Sequence, residues 1–315
     1  MPHTLLQLVK SYRGSYPLLD AMVPTNQGEV RTIVCYLSGE PDGNNSVESR
    51  VDRCIYLRLD KSALNWTQLS TVRALAKLID EEDVDLLACQ FRRTIPIGVW
   101  AAIIAHRKPR VIGVLHGIVN GRISYSRRLL NRFIFHRLAK LVCVSHTCAH
   151  DLMKLSWKLD STKVLAIQNG IDPSPFLKDE GSAVSTRASR EQLFGEQIAG
   201  KRIFGTIGRL AEVKNYRRLI EAFSLSCQSE PNIALVLIGT GPMEQELKAL
   251  VKTLDLERQV VFLGYRKDIP SLLQNLDVFV LISLREGFGL ALAEAMASGL
   301  PALVSNKGGM KEVLG

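Results

Sequence analysis

The chain has 315 residues, of which 46% are apolar, and a formal net charge of +9. This length predicts about two domains, and this apolar content is enough for buried cores, which excludes a disordered chain. The longest apolar run, residues 95–105, is too short to span a bilayer. No secretory leader is expected, because no basic, apolar and small-residue series opens the chain. The six scattered cysteines are typical of reduced thiols in a cytoplasmic protein.

The positive charge is concentrated in the first part of the chain. Residues 1–175 contain 23 Lys and Arg against 15 Asp and Glu, whereas residues 176–315 contain 17 against 16. Between Asp85 and Asp151 there are eleven basic residues and no acid. A field of one sign indicates an anionic partner, and composition leaves lipid, nucleic acid and phosphorylated substrates open.

Short β-rich runs alternate with helical patterns along the chain. The first half predicts strands at 32–37, 54–59, 84–90, 110–116, 140–145 and 163–169. Runs with apolar residues at helical spacing, such as 66–83, lie between them. Near-continuous Val, Ile and Leu strands separated by helices predict parallel sheets that are covered on both faces.

The polar stretch 173–200 interrupts this rhythm and predicts an inter-domain connection followed by an entry helix. The second half then predicts strands at 202–208, 233–239, 259–264, 277–283 and 300–305. The sequence therefore predicts an α/β protein with two Rossmann-like domains, 1–172 and 173–315, that face a cleft. Because it ends within what reads as the first turns of a helix, we expect the C-terminal part to be truncated.

Two predicted strand ends in the second half offer groups that suit a phosphate. The first strand is followed by Gly208, Arg209 and Lys214, and the second by Gly239 and Gly241. Ligands of open α/β sheets bind beyond the carboxyl ends of the strands. Two cations fixed at that place would suit a diphosphate.

The fourth strand of the second half leads into a glycine turn and a helix that starts near Leu290. The backbone N–H groups of Phe288, Gly289 and Leu290 would be unpaired at this helix N-terminus. Such donors, together with the positive end of the helix dipole, favour phosphate.

The run from Glu286 to Pro301, EGFGLALAEAMASGLP, resembles the Glu-x7-Glu signature of retaining glycosyltransferases of family 4, which share the two-domain GT-B fold. Glu286 and Glu294 occupy the two acid positions. Other segments resemble the family in order and spacing, namely VIGVLHG, IQNGIDPSPF, GRLAEVKNYRRLIEAF, LVLIGTGPMEQEL and VVFLGYRKDIPSLLQNLDVFVLIS. The resemblance extends from about Val84 to the end of the chain.

The resemblance implies a role for each of four side chains at the reacting centre. Glu286 would bind the hydroxyls of the transferred sugar, and His116 would face that sugar across the cleft. Arg209 and Lys214 would neutralise the diphosphate leaving group, where most charge develops in the transition state.

The resemblance also implies how the nucleotide is bound. Glu294 would pair with the ribose hydroxyls, and the amides of Phe288–Leu290 would bind the phosphates. Gly208 and Gly241 would let the backbone approach the donor, and the segment around Arg266 would contact the base.

The function implied is retaining, metal-independent transfer of a hexose-type unit from a nucleotide-diphosphate sugar to a hydroxyl of a glycan or glycolipid acceptor. No cofactor is expected, and a phosphate oxygen of the leaving group would accept the proton. We expect a bacterial lipopolysaccharide or exopolysaccharide pathway and a cytoplasmic protein, free or peripheral on the membrane. Two alternatives stay open, a nucleotide-sugar epimerase of the same fold and a catalytically silent nucleotide-sugar-binding or membrane-surface protein.

One departure from the family lies after the first strand. The family has a Gly-Gly turn there, whereas this sequence has only Gly14. The resemblance therefore implies nothing about how that loop approaches donor or acceptor.

The segment 122–140 combines apolar and basic residues. It predicts either a domain helix packed on its sheet or a helix on an anionic membrane surface that receives a lipid-linked acceptor. Nucleic acid is not expected as a partner, because no binding module is present and aromatic residues are only 6%.

Two further patterns suggest metals only weakly. Asp83 and Asp85 form an Asp-x-Asp pair that joins a helix end to a strand. The other pattern is a group of potential zinc ligands formed by Cys143, His146, Cys148 and His150. A structural zinc site needs pairs spaced around a tetrahedron, so we expect no metal.

Overall fold

The computed structural model describes residues 2–12, 28–43, 45–60, 68–117, 125–155, 159–177 and 186–315, with only the backbone for residues 125–129 and 155. The chain forms two compact units, Met1–Asn169 and Gly170–Gly315. The candidate loop at Gly14, residues 122–124 and part of the predicted connection, 178–185, lie outside the described residues.

The first unit is built on a sheet whose described strands are all parallel. Their order is β3-β2-β1-β4-β5-β6-β7. The strands are β1 His3–Ser11, β2 Val30–Ser38, β3 Arg53–Tyr56, β4 Leu86–Gln90, β5 Arg110–Leu115, β6 Lys140–Cys143 and β7 Val164–Ala166. The helices between them are α1 Leu69–Glu81, α2 Thr94–Ile104, α3 Tyr125–Arg137 and α4 His146–Leu155.

The second unit contains a described parallel sheet of order β10-β9-β8-β11-β12. Its strands are β8 Arg202–Ile207, β9 Ile233–Ile238, β10 Val260–Gly264, β11 Val278–Leu281 and β12 Ala302–Val304. Its helices are α5 Arg187–Phe194, α6 Glu196–Ala199, α7 Tyr216–Ser229, α8 Glu244–Thr253, α9 Ile269–Gln274, α10 Leu290–Ala297 and α11 Met310–Leu314.

The central strand β9 explains why the second unit has a core on each side of its sheet. All six of its residues are buried, and successive side chains of a strand point to opposite faces. Ala234, Val236 and Ile238 belong to one apolar cluster, whereas Ile233, Leu235 and Leu237 belong to the other. A strand covered on both faces needs no polar alternation, which is why it reads as a continuous apolar run.

Each sheet has a point where the strand order reverses, between β1 and β4 in the first unit and between β8 and β11 in the second. Strands β8 and β11 pair only at Phe204 and Gly205, so they separate before their carboxyl ends. Ligands of doubly wound folds bind in the crevice at such switch points. In the second unit we therefore expect the ligand site at the loops after β8 and β11.

The predicted α/β class with two Rossmann-like domains is confirmed, and all eleven predicted strands are present. Strand β1, which precedes them, was not among the predicted strands. Within the described residues, no helix has the length and apolar character needed to cross a membrane.

Candidate functional site

The loop after β8 brings Lys214 back to the end of its own strand. The amide of Gly208 donates to Ile238 and that of Leu210 to Thr240, both at 2.9 Å, so the loop extends the β8–β9 pairing. A short 3-10 turn, Glu212–Lys214, follows and reverses the chain. A Cβ at Gly208 would lie 3.4 Å from Cε of Lys214. The ammonium group therefore lies beside the strand end.

An ion pair joins this loop to the one after β11. Nζ of Lys214 lies 2.5 Å from Oε2 of Glu286, and about one fifth of each side chain is exposed. The hydroxyl of Ser283 donates to the same carboxylate at 3.2 Å. The amide of Leu284 donates to the carbonyl of Val213 at 2.8 Å, which fixes the spacing of the two loops.

Helix α10 begins without a cap. Its N-cap residue, Gly289, has φ +106°, a left-handed conformation that favours glycine, and no side chain caps the helix. No residue that the structure describes accepts a hydrogen bond from the N–H groups of Phe288, Gly289 or Leu290. These donors, at the positive end of the helix dipole and next to the Lys214–Glu286 pair, are of the kind that can bind an anion.

A glycine pair that the sequence analysis missed supports this turn from behind. The amide of Gly309 donates to the carbonyl of Glu286 at 3.0 Å. A Cβ at Gly308 would collide with that carbonyl oxygen, and a Cβ at Gly309 with the carbonyl of Gly287. Ser305 adds a hydrogen bond to the carbonyl of Ser283 at 2.7 Å. The Gly-Gly dipeptide after β12 was the signal that could have revealed this contact.

Glu294 lies on α10 one turn after Leu290. Its side chain is partly buried, and burial raises the pKa of its carboxyl group. No described residue pairs with that carboxylate. A desolvated acceptor of this kind can bind a hydroxyl, because it has lost water without gaining a protein partner.

The other predicted site residues of the second unit differ in whether they already have partners within the protein. Arg209 is exposed and forms no ion pair with the described residues, so its charge is available. Gly241 packs on the backbone of Leu210, where a Cβ would collide. Nε of Arg266 donates to Asp268 at 2.8 Å, so the guanidinium group already has a partner in the protein. This pair involves only the side chain of Arg266 and does not engage its backbone.

His116 belongs to the first unit, directly after β5. Its Nε2 lies 2.7 Å from Oε1 of Gln90, and its ring centroid lies 4.4 Å from that of Phe91. Burial lowers the pKa of the imidazole to about 4. The side chain is therefore neutral at physiological pH.

Neither of the two weak metal patterns forms a group of ligands in the described residues. Asp85 accepts hydrogen bonds from the amide of Thr4 at 2.9 Å and from Arg107 at 2.8 Å. Cys143 and Cys148 are buried. Across the part of the chain that the structure describes, no three His, Cys, Asp or Glu side chains are grouped to bind a metal ion.

Two α/β units, each built on a parallel sheet, are the architecture of the GT-B fold. Residues 189–315 match the family model described as "Glycosyl transferases group 1", and residues 26–175 match "Glycosyltransferase Family 4". Both models describe glycosyltransferases, and each matches less than half of the chain.

Curated relatives match most of the chain. The protein is 29% identical over 249 residues to the "UDP-Gal:alpha-D-GlcNAc-diphosphoundecaprenol alpha-1,3-galactosyltransferase" of Escherichia coli, covering 76% of this chain and 62% of the relative. It is 27% identical over 254 residues to "N-acetyl-alpha-D-glucosaminyl L-malate synthase" of Bacillus anthracis, covering 78% and 63%. The chain thus spans less than two thirds of these relatives.

Solved structures share the fold. HepE of Anabaena, in a complex with UDP-glucose, aligns with a TM-score of 0.81 at 23% identity over 98% of this chain and 82% of that one. A glycosyltransferase from Rickettsia africae aligns with a TM-score of 0.77 at 18% identity over 99% and 81%.

The Lys214–Glu286 pair is expected to stabilise the free protein measurably. In a double-mutant cycle with Lys214→Met and Glu286→Gln, we expect a coupling energy of about 1–2 kcal/mol from urea unfolding, because the pair is largely shielded from solvent. The exposed i,i+4 pair of Arg187 and Glu191 is the control, for which we expect about 0.3 kcal/mol. Equal coupling energies in the two cycles would contradict the conclusion that the Lys214–Glu286 pair is shielded from solvent and stabilises the protein.

Gly308 and Gly299 form a matched test of the support behind the turn. Both have positive φ, +61° and +73°, but a Cβ at Gly299 has nothing within 4 Å. Substitution by Ala should cost about 1 kcal/mol of unfolding free energy at Gly299 for conformation alone. At Gly308 the clash should add about 1–3 kcal/mol. If thermal or urea unfolding gives the same loss for both variants, the close contact is absent.

Proposed function

We propose that the protein is a retaining glycosyltransferase that moves a sugar from a nucleotide-diphosphate sugar to a hydroxyl of a glycan or glycolipid acceptor. The observation that supports this most is the set of unpaired amides at Phe288–Leu290 beside the Lys214–Glu286 pair. Donors and a cation concentrated there suit a diphosphate, and the two acids suit hydroxyl groups.

In this proposal, binding of the nucleotide sugar separates Lys214 from Glu286, and each side chain then contacts the ligand. The diphosphate competes with Glu286 for the ammonium group of Lys214, and Arg209 adds a second cation. The carboxylate of Glu286 is then available to the sugar hydroxyls, while Glu294 accepts from the ribose. The bond between the anomeric carbon and the phosphate oxygen breaks as negative charge develops on the diphosphate, so the cations and amides stabilise the transition state.

The acceptor step follows from the same groups. The acceptor oxygen bonds to the anomeric carbon on the face that the phosphate leaves, and its proton passes to a phosphate oxygen. This route needs no protein carboxylate as nucleophile, no metal and no cofactor. Retention of configuration is therefore a property of the proposed front-face attack.

The names of the relatives support the choice of substrates. The E. coli relative is named for a UDP-galactose donor and a diphosphoundecaprenol-linked acceptor, and the Anabaena structure contains UDP-glucose. By analogy we propose a UDP-sugar donor and a role in lipopolysaccharide or exopolysaccharide synthesis. A cytoplasmic location, with attachment to the membrane surface during acceptor binding, belongs to the same proposal.

A donor panel tests this function. Incubation with UDP-, GDP- and ADP-sugars should give slow hydrolysis of one donor, with the anomeric configuration of the released sugar retained at early times by NMR. Glu286→Gln should lower that rate by about 100-fold, whereas the exposed control Glu257→Gln should leave it unchanged.

The rival functions give different products in this panel. An epimerase would release an epimer of the sugar, and a silent binding protein would bind a donor without turnover. Either result would contradict the proposed transferase function.

We also propose that the basic side of the first unit binds an anionic membrane surface through the segment 122–140. In α3 and directly after it, Ile134 and Leu138 are buried, whereas Phe133 is 39% exposed and Arg137 is exposed. Arg137 stacks on Phe133 at 5.0 Å. Phe133 also stacks on Trp100, with the ring centroids 5.6 Å apart. The apolar residues thus belong mainly to the domain core, and the exposed charge of Arg137 is the part that we assign to an interface.

A pocket beside this helix fits the same partner. It has a volume of about 350 Å³ and is lined by apolar side chains of α2 and β5 together with Lys108 and Arg137. Cations above an apolar floor match an anionic headgroup and the first carbons of its acyl chains.

Co-sedimentation with vesicles tests this surface. We expect binding to phosphatidylcholine vesicles that contain phosphatidylglycerol, little binding to pure phosphatidylcholine, and a loss of binding with added salt. Arg137→Glu should weaken binding about 10-fold or more, because it replaces attraction of about 1 kcal/mol with repulsion. The control Arg258→Glu, an exposed reversal in the second unit, should have a smaller effect. Equal losses for both variants would contradict a local surface.

A further inference from the structure

Three polar side chains cross the first sheet at its switch point. Gln7 of β1 lies opposite Ala88 in the register, Gln90 ends β4 opposite Val114, and His116 follows β5. Gln90 is two residues beyond Ala88, and His116 is two residues beyond Val114. Because alternate residues of a strand share a face, all three side chains lie on the same face of the sheet.

The side chains form one hydrogen-bonded row. Nε2 of Gln90 donates to Oε1 of Gln7 at 2.9 Å, and Oε1 of Gln90 lies 2.7 Å from Nε2 of His116. Gln7 and Gln90 are buried, with 3% and 4% of their surface exposed. Rotating the Gln90 amide alone would set its oxygen against the Gln7 oxygen, so the orientation of Gln7 determines that of Gln90.

This row determines which nitrogen of the imidazole bears the proton. The Gln90 oxygen can only accept, so Nε2 of His116 must donate, and the neutral ring then has a lone pair on Nδ1. That Nδ1 is buried and has no hydrogen-bond partner among the described residues. Burial is the cause of the low pKa of His116, with no charged group contributing.

We propose that Gln90 is a positioning residue that holds His116 as the Nε2–H tautomer, so that Nδ1 is a hydrogen-bond acceptor for a sugar hydroxyl. This assignment rests on the proposed transferase function for the identity of the ligand. A neutral acceptor pairs with hydroxyl donors and repels phosphate and carboxylate oxygens. His116 therefore selects a sugar hydroxyl and does not assist the diphosphate.

Access to Nδ1 requires a side-chain movement. The contacting ring that the structure describes is that of Phe91, tilted by 46° against the imidazole. Phe91 has φ +69°, an uncommon conformation for a bulky residue. Its backbone is held by hydrogen bonds from its amide to Val114 and to its carbonyl from Thr94, so we expect the exposure of Nδ1 to come from a change of side-chain torsion and not from a shift of the main chain.

Nitrogen NMR of the histidine side chains tests the tautomer in the full chain without any substrate. The protein has six histidines, and His116→Asn identifies the signals of His116. We expect a bare Nδ1 and a protonated Nε2, with no titration between about pH 5.5 and 8. A proton on Nδ1, or titration near an ordinary value of about 6.5, would overturn the proposal.

Two substitutions of Gln90 test its role. Gln90→Leu removes the acceptor, so we expect a mixture of tautomers and a fall in kcat of about 10- to 100-fold, as for other partners that orient a histidine. Gln90→Glu keeps an acceptor but adds charge, so Nε2 stays protonated while the pKa of His116 rises and turnover falls toward acidic pH.

Gln68→Leu, the same change at an exposed position before α1, is the control and should leave the tautomer and kcat unchanged. If Gln90→Leu behaves like this control, Gln90 does not position the ring. If the wild-type tautomer is as expected but no sugar is transferred or hydrolysed, the proposed function fails while the assignment of the tautomer stands.

Discussion

The uncapped start of α10 is the feature on which the rest of the proposed site depends. A helix N-terminus that the described chain leaves unpaired must meet water or an anion, because buried or partly buried N–H groups without a partner are costly. Gly289 makes the turn possible through its left-handed conformation, and Gly308 lets the chain after β12 press against the carbonyl of Glu286. Backbone contacts thus orient the amides of Phe288–Leu290, so the proposed anion site is already formed in the free protein.

The ion pair beside these amides gives the free protein a stable resting arrangement. Lys214 and Glu286 come from loops after adjacent strands that separate at their carboxyl ends, and each neutralises the other. A diphosphate-linked sugar offers both an anion for the lysine and hydroxyls for the glutamate, whereas a nucleoside or a free sugar offers only one of them. The ion pair therefore favours a ligand that supplies a new partner to Lys214 and to Glu286 at the same time.

The sequence predicted the fold class and named Lys214 and Glu286 as candidate site residues, but it did not predict that the two form an ion pair. Buried parallel strands appear as continuous apolar runs, and the site residues of the second unit lie in short segments directly after such strands. Contacts between distant segments could not be predicted from the sequence. The residues around Gly308 and Gly309, for example, do not indicate which carbonyl groups these glycines approach. Gln90 and His116 were separated by a helix, and only the strand register brought their side chains onto one face.

The most direct measurement is a ¹H–¹⁵N NMR titration of the deuterated protein with UDP, followed by UDP-glucose. The account predicts that the amide signals of Phe288, Gly289 and Leu290 shift most among those of the second unit, downfield as they bond to phosphate. It also predicts that Lys214→Met weakens the affinity for UDP by about 10-fold or more, as the loss of one charge-assisted contact requires. Binding of UDP that leaves these three amides unchanged would contradict the account.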